Sequence, residues 1–264
     1  MTIIRTITAA AVLAAGLAVS APASADITTF ASYIGVGGQN IYYRKVSSLN
    51  SSLYTIAAPG ANSPGTVSTV FTFLSPSVTN RLQQLANLGA LRADFTFRAT
   101  ATAPVDGARN LSQDLLSGSF SFIYKGAAPL VVDHTTYYTN ANLLSATFGG
   151  GSLAGRLGSN AANVDGSTAA GDTIGYTSDL LNFAPTNEKD FALSLNALSP
   201  ALGRTVGQVF NTFFATSSGN FSTDPAPLPT AIIPEPAMWS LLVVGFGLVG
   251  LQGRRRKTSM SFTV

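Results

Sequence analysis

The run LRADFTFRATAT constrains the fold more than any other stretch of the chain. Leu91, Ala93, Phe95, Phe97, Ala99 and Ala101 alternate with Arg92, Asp94, Thr96, Arg98, Thr100 and Thr102. Successive side chains on a strand point to opposite faces, so a dozen residues in period two describe a long strand with one packed and one hydrated face. GSFSFIYKG repeats the pattern with Phe120, Phe122 and Tyr124, and DFALSLNAL with Phe191, Leu193, Leu195 and Ala197. Shorter apolar runs predict strands over 27–34, 41–46, 67–74, 130–138, 143–148 and 173–177. The stretch 206–215 fits a strand, and also a helical stripe through Val206, Val209, Phe210, Phe213 and Phe214. One helix is signalled by Ser75 as cap, Pro76 at the first turn, a stripe of Val78, Leu82, Leu85 and Ala86, and Gly89 as stop. APGANSPGT, TAPVDGAR, GGGSLAGRLGSNAANVDGSTAAGD and FAPTNEKD read as loops. Many strands, frequent turns and one short helix predict a mainly β domain, an antiparallel β-sandwich, jelly-roll-like fold or related barrel. The chain has no cysteine, so such a domain is held by its core alone.

The two ends follow different rules. The start carries Arg5, an apolar run over 7–19 and the small residues Ala23-Ser24-Ala25. That is the plan of a secretory signal peptide, with Ala23 and Ala25 marking cleavage and residues 1–25 removed. Near the other end, 237–251 is an apolar stretch of 15 residues, about 22 Å as a helix and short of a hydrocarbon core of about 30 Å. A basic cluster of Arg254, Arg255, Arg256 and Lys257 follows, which places 254–264 on the cytoplasmic side and everything before Pro234 outside. We therefore expect a transmembrane helix over 237–253, preceded by a proline-rich spacer over 224–236 and a β-rich ectodomain over 26–223.

Pro234-Glu235-Pro236, then Trp239, a glycine-studded apolar helix and the arginine cluster resemble the PEP-CTERM sorting signal of Gram-negative bacteria. The resemblance covers roughly the last tenth of the chain. It implies that Pro234, Glu235 and Pro236 are read by an exosortase, a membrane-embedded Cys protease and transpeptidase that removes the helix during export. It further implies a destination at the cell surface or extracellular matrix and an association with exopolysaccharide and biofilm.

Charge and chemistry narrow the remaining classes. The chain carries a net +3, but the ectodomain holds ten Lys/Arg against ten Asp/Glu, so the basic excess belongs to the two ends. A neutral ectodomain is no argument for a nucleic-acid partner. His134 is the lone histidine, beside Asp133, with no G-x-S-x-G elbow for a triad. One His and no Cys make a transition-metal cofactor improbable. Asp165 and Asp172 lack the acidic series of a calcium loop. Glu188 and Asp190 form the most obvious carboxylate pair of a hydrolase, in a stretch that turn chemistry already explains. We expect no catalytic residue, no metal and no cofactor. Tyr42/Tyr43 and Tyr137/Tyr138 are the candidate platform of a glycan-binding module, one of each pair facing outward if both segments are strands.

Overall fold

The computed structural model describes residues 27–74, 80–184, 186–224 and 226–229. Ala23, Ala25, Pro234, Glu235, Pro236, Trp239, Arg254, Arg255 and Arg256 lie outside the described residues, as do Ser75, Pro76 and Val78 of the expected helix. No helix among the described residues is long and apolar enough to cross a membrane.

The order is β1 (Thr28–Gly35), β2 (Ile41–Lys45), β3 (Ser51–Thr55), β4 (Val67–Phe73), α1 (Asn80–Ala86), β5 (Ala90–Ala101), β6 (Asn110–Tyr124), β7 (Leu130–Val132), β8 (Thr135–Tyr137), β9 (Asn142–Arg156), β10 (Ala162–Ser167), β11 (Thr173–Thr177), β12 (Leu181–Asn182), β13 (Glu188–Ser199), β14 (Phe213–Asp224) and β15 (Leu228–Pro229). Eleven of these strands form one sheet, antiparallel throughout. The domain is thus mainly β with one short helix.

The pairings close on themselves. From β1 they run through β4, β5, β6, β9, β10, β13 and β14 and back to β1. β1 and β2 lie in succession along one edge of β14, β3 and β4 along one edge of β5, and β10 and β11 along one edge of β9. Each of these pairs acts as a single strand interrupted by a loop. The circuit then follows chain order, an up-and-down meander without the Greek-key crossings of a jelly roll. Facing parts of the closed sheet enclose one core, as in a sandwich, while the pairings join them at both sides.

About eight strands leave an interior just wide enough for side chains to fill, and aromatic rings fill this one. Phe122 stacks on Phe95 at 4.6 Å between ring centres and meets Tyr33 at 4.8 Å, Phe71 at 5.0 Å and Phe221 at 5.4 Å. Phe120, Phe97, Phe148 and Phe191 continue the cluster along the interior. Gln113 is the fully buried amide within it: its Oε1 accepts from the Tyr43 hydroxyl at 2.7 Å and its Nε2 donates to the Ala103 carbonyl at 2.8 Å.

Several expectations are corrected. The glycine-rich run expected as a loop supplies the second half of β9 and all of β10. Its glycines give way to neighbouring side chains: a Cβ on Gly166 would lie 2.6 Å from the Phe191 ring. The same reason hides most of β14, where a Cβ on Gly219 would lie 2.8 Å from the Tyr33 ring and 2.6 Å from Leu193. The stretch 130–138 is a tight hairpin, β7 and β8, with Asp133 and His134 at its turn in left-handed conformation, φ 47° and 64°. Over 206–212 there is neither strand nor helix, and β14 starts at Phe213. The helix keeps Leu82 and Leu85 on its buried face, and Gly89 follows it with φ 67°. The domain runs past 223: Asp224 belongs to β14, Leu228–Pro229 pairs with β12, and Ala226 packs on the core.

Candidate functional site

The platform residues separate as strand geometry requires. Tyr43 points inward, is buried, and stacks on Phe213 at 4.9 Å, so it is a core residue and no part of a platform. Burial pushes its hydroxyl up to about 12, with Ser51 and Gln113 pulling the other way. Tyr42 is on the outer face, half-buried, with its ring stacked on Phe214 at 4.6 Å and meeting Tyr54 edge-on at 5.5 Å. Tyr137 ends β8 and packs against the core, while Tyr138 is exposed beyond it. Neither pair forms a two-ring platform.

Around Tyr42 the register builds a larger arrangement. Arg98 of β5 stands opposite Tyr54 of β3, Tyr54 opposite Tyr42 of β2, and Tyr42 opposite Phe214 of β14. The next outward-facing row is Thr100, Ser52 and Arg44. An open cleft of about 430 Å³ lies here, with Leu53, Tyr54 and Ala99 at its floor, Arg44 and Arg98 at its sides and Asn62, Ser63 and Pro64 as a wall. The wall belongs to the loop between β3 and β4. The Tyr54 hydroxyl donates to the Asn62 carbonyl at 2.7 Å, and the Thr55 hydroxyl donates to the Gly65 carbonyl at 2.6 Å while accepting the Phe97 amide at 3.1 Å. Burial, then the neighbouring Tyr42, raises the Tyr54 hydroxyl, and the Arg44 guanidinium within hydrogen-bonding reach opposes them. Among the described residues neither Arg44 nor Arg98 forms an ion pair; the carboxylate on the same face of β5, Asp94, is taken by Lys125 at 3.6 Å.

Arg44, Arg98, Tyr54 and Phe214 were not singled out by the sequence as site residues. Arg98 is visible there only as a water-facing position of the alternation, and SSLYT is too short and polar to announce β3. Register, which is a property of pairing, brings them together.

Glu188 and Asp190, expected in a loop over 183–190, instead open β13, where Asp190 is half-buried with Oδ1 unpartnered and its carbonyl accepts from the Tyr176 hydroxyl at 2.5 Å. Asp165 is exposed on β10 and accepts from Ser152 at 3.1 Å, and Asp172 accepts the Ser167 amide at 2.8 Å. Among the described residues no three acidic, His or Cys side chains cluster in a way that could hold a metal. Comparison with protein-family models, with curated proteins and with solved structures finds no match to this chain.

Proposed function

We propose that this chain is an exported, non-enzymatic protein, sorted by an exosortase-type system to the cell surface or extracellular matrix and linked there to exopolysaccharide or biofilm. The observation that carries this reading is the order of Pro234-Glu235-Pro236, Trp239, an apolar stretch and Arg254-Arg255-Arg256-Lys257, behind an N-terminal run closing on Ala23-Ser24-Ala25. The fold supports it in one respect. Thr28 stands opposite Thr223, so the first barrel strand begins beside the end of the last, and a tether on that side leaves the opposite end and the flanks facing outward. The test is the intact mass of the product exported from a bacterium with an exosortase. The reading requires a species that starts near Asp26 and ends near 234–236. A product retaining Arg254 to Val264 in that host would overturn it.

A second reading, a glycan-binding surface module, is favoured by the outward stack of Tyr42 on Phe214 beside the Arg44/Arg98 cleft. With the interior filled by rings, a ligand of this domain binds on its outer surface.

A further inference from the structure

We propose that the cleft between Arg44, Arg98 and the β3–β4 loop binds a carboxylate-bearing sugar of an acidic polysaccharide. The inference rests on the glycan-binding reading above and adds the charge class of the ligand.

Three features of the cleft point the same way. The first is unpaired positive charge. Arg44 and Arg98 stand on the two adjacent rows, both exposed and both without a carboxylate partner among the described residues. A guanidinium presents its donors in a planar fork that matches a carboxylate in bidentate fashion, so two such forks over one cleft select an anion with geometry as well as charge. The second is the ring surface beside them. Tyr42 and Phe214, stacked on each other, present half-buried ring surface that continues the row of Arg98 and Tyr54, an apolar area on which the C–H face of a pyranose can lie, with Ser52, Thr100 and Asn62 at hand for hydroxyl groups.

The third is preorganisation. The wall segment 62–64 is pinned at both sides, by Tyr54 to Asn62 and by Thr55 to Gly65, and Gly65 also donates its amide to the Thr55 carbonyl at 2.8 Å. A wall already in place spares the ligand the cost of ordering it. The volume of about 430 Å³ is within the range of small-ligand sites.

The same charge distribution argues against a nucleic acid. Ten cations balance ten anions over the ectodomain, so no broad positive field accompanies the two arginines, and phosphate-backbone binding depends on such a field.

The test is calorimetric titration of the full-length protein in detergent micelles with three ligands: hexagalacturonate, its fully methyl-esterified form and hexathymidylate. The esters keep the sugar skeleton and remove the charge, and the oligonucleotide keeps charge without sugar. Hexagalacturonate should bind, the ester and the oligonucleotide at least about tenfold more weakly, since a hydrogen bond to a charged group carries roughly that factor. Arg98→Ala and Arg44→Ala should each weaken hexagalacturonate by about tenfold or more, and Arg98→Lys, which keeps charge and loses the fork, by less. Both arginines are exposed, and unchanged urea midpoints would show that the variants fold. Equal binding of the ester would leave the glycan reading standing and overturn the charge inference. Binding of neither sugar would overturn both. Hexathymidylate bound as tightly as hexagalacturonate, or arginine variants that bind normally, would also overturn the proposal.

Discussion

Replacing Phe122 by Ala should remove a large part of the domain's stability. The ring is fully buried at the centre of the barrel, with Phe95, Tyr33, Phe71 and Phe221 at 4.6, 4.8, 5.0 and 5.4 Å and Phe120 at 6.1 Å. A buried Phe→Ala change costs about 3–5 kcal/mol, the larger figure applying where neighbours cannot collapse into the space. Here four of the five ring neighbours are fixed on other strands of the closed sheet, β1, β4, β5 and β14, so relaxation is small. The five aromatic contacts, worth about 0.5–1.5 kcal/mol each beyond their area, are lost within that cost and place it in the upper part of the range. We expect about 4–5 kcal/mol, about a quarter or more of the roughly 5–15 kcal/mol that holds a typical domain. Phe122→Leu, which keeps most of the volume, should cost about 1–2 kcal/mol. The assay is equilibrium unfolding in urea with the slope of the transition unchanged. On the neighbouring outer position, Thr96→Ala loses a half-buried hydroxyl contact with Ser121 at 2.7 Å and should cost under about 1 kcal/mol. A Phe122→Ala loss below about 1 kcal/mol would mean the interior is not packed around that ring.

Two further outcomes follow from groups inside the barrel. Gln113→Leu takes their Gln113 partner from the Tyr43 hydroxyl and the Ala103 carbonyl, which at about 1–3 kcal/mol per group predicts a loss of roughly 2–6 kcal/mol; adding Tyr43→Phe should restore part of it in a double-mutant cycle. Alkali should unfold the domain, because burial raises Tyr33, Tyr43 and Tyr176 above the ordinary phenol value of 10.0, Tyr43 to about 12. A phenol held neutral in the fold contributes stability that is complete below the unfolded value and is lost as pH rises through the folded one, so the loss from Tyr43 falls between pH 10 and 12. Tyrosinate absorbance should accordingly show a late step that coincides with loss of the β-sheet circular dichroism signal.

The strands with large inward side chains were legible because alternation survives in any β fold: β5, the Phe120–Tyr124 end of β6 and β13 as far as Leu195 stand where period two puts them, whereas Ala197, expected in phase with them, is exposed at a bulge with φ 52° and Leu198 takes the inward position. β10 and β14 were hidden by the same core. Where the ring of a paired residue lies over its neighbour in the sheet, as Phe191 does over Gly166 and Tyr33 over Gly219, the neighbour recedes to Gly, and such positions then read as loop residues. The tyrosine pairs were half legible, since alternation says that one of each pair faces out and pairing decides which and beside what. The Arg44/Arg98 cleft lay beyond reach because its residues come from β2, β3, β5 and a loop. Their meeting depends on the register of β3 against both neighbours, which local pattern does not carry.

Closure of the sheet between its first and last strands underlies the packed interior and the outer-surface site. In the β1–β14 pairing Ser32 and Asn220 stand directly opposite each other. The chain has no cysteine of its own, so a Ser32→Cys, Asn220→Cys variant contains a single thiol pair, placed within disulfide reach if the strands are neighbours. Intact mass after mild oxidation and alkylation measures this directly. The closed sheet predicts a product two hydrogens lighter with no alkylated thiol, while a folded protein with both cysteines alkylated would contradict it.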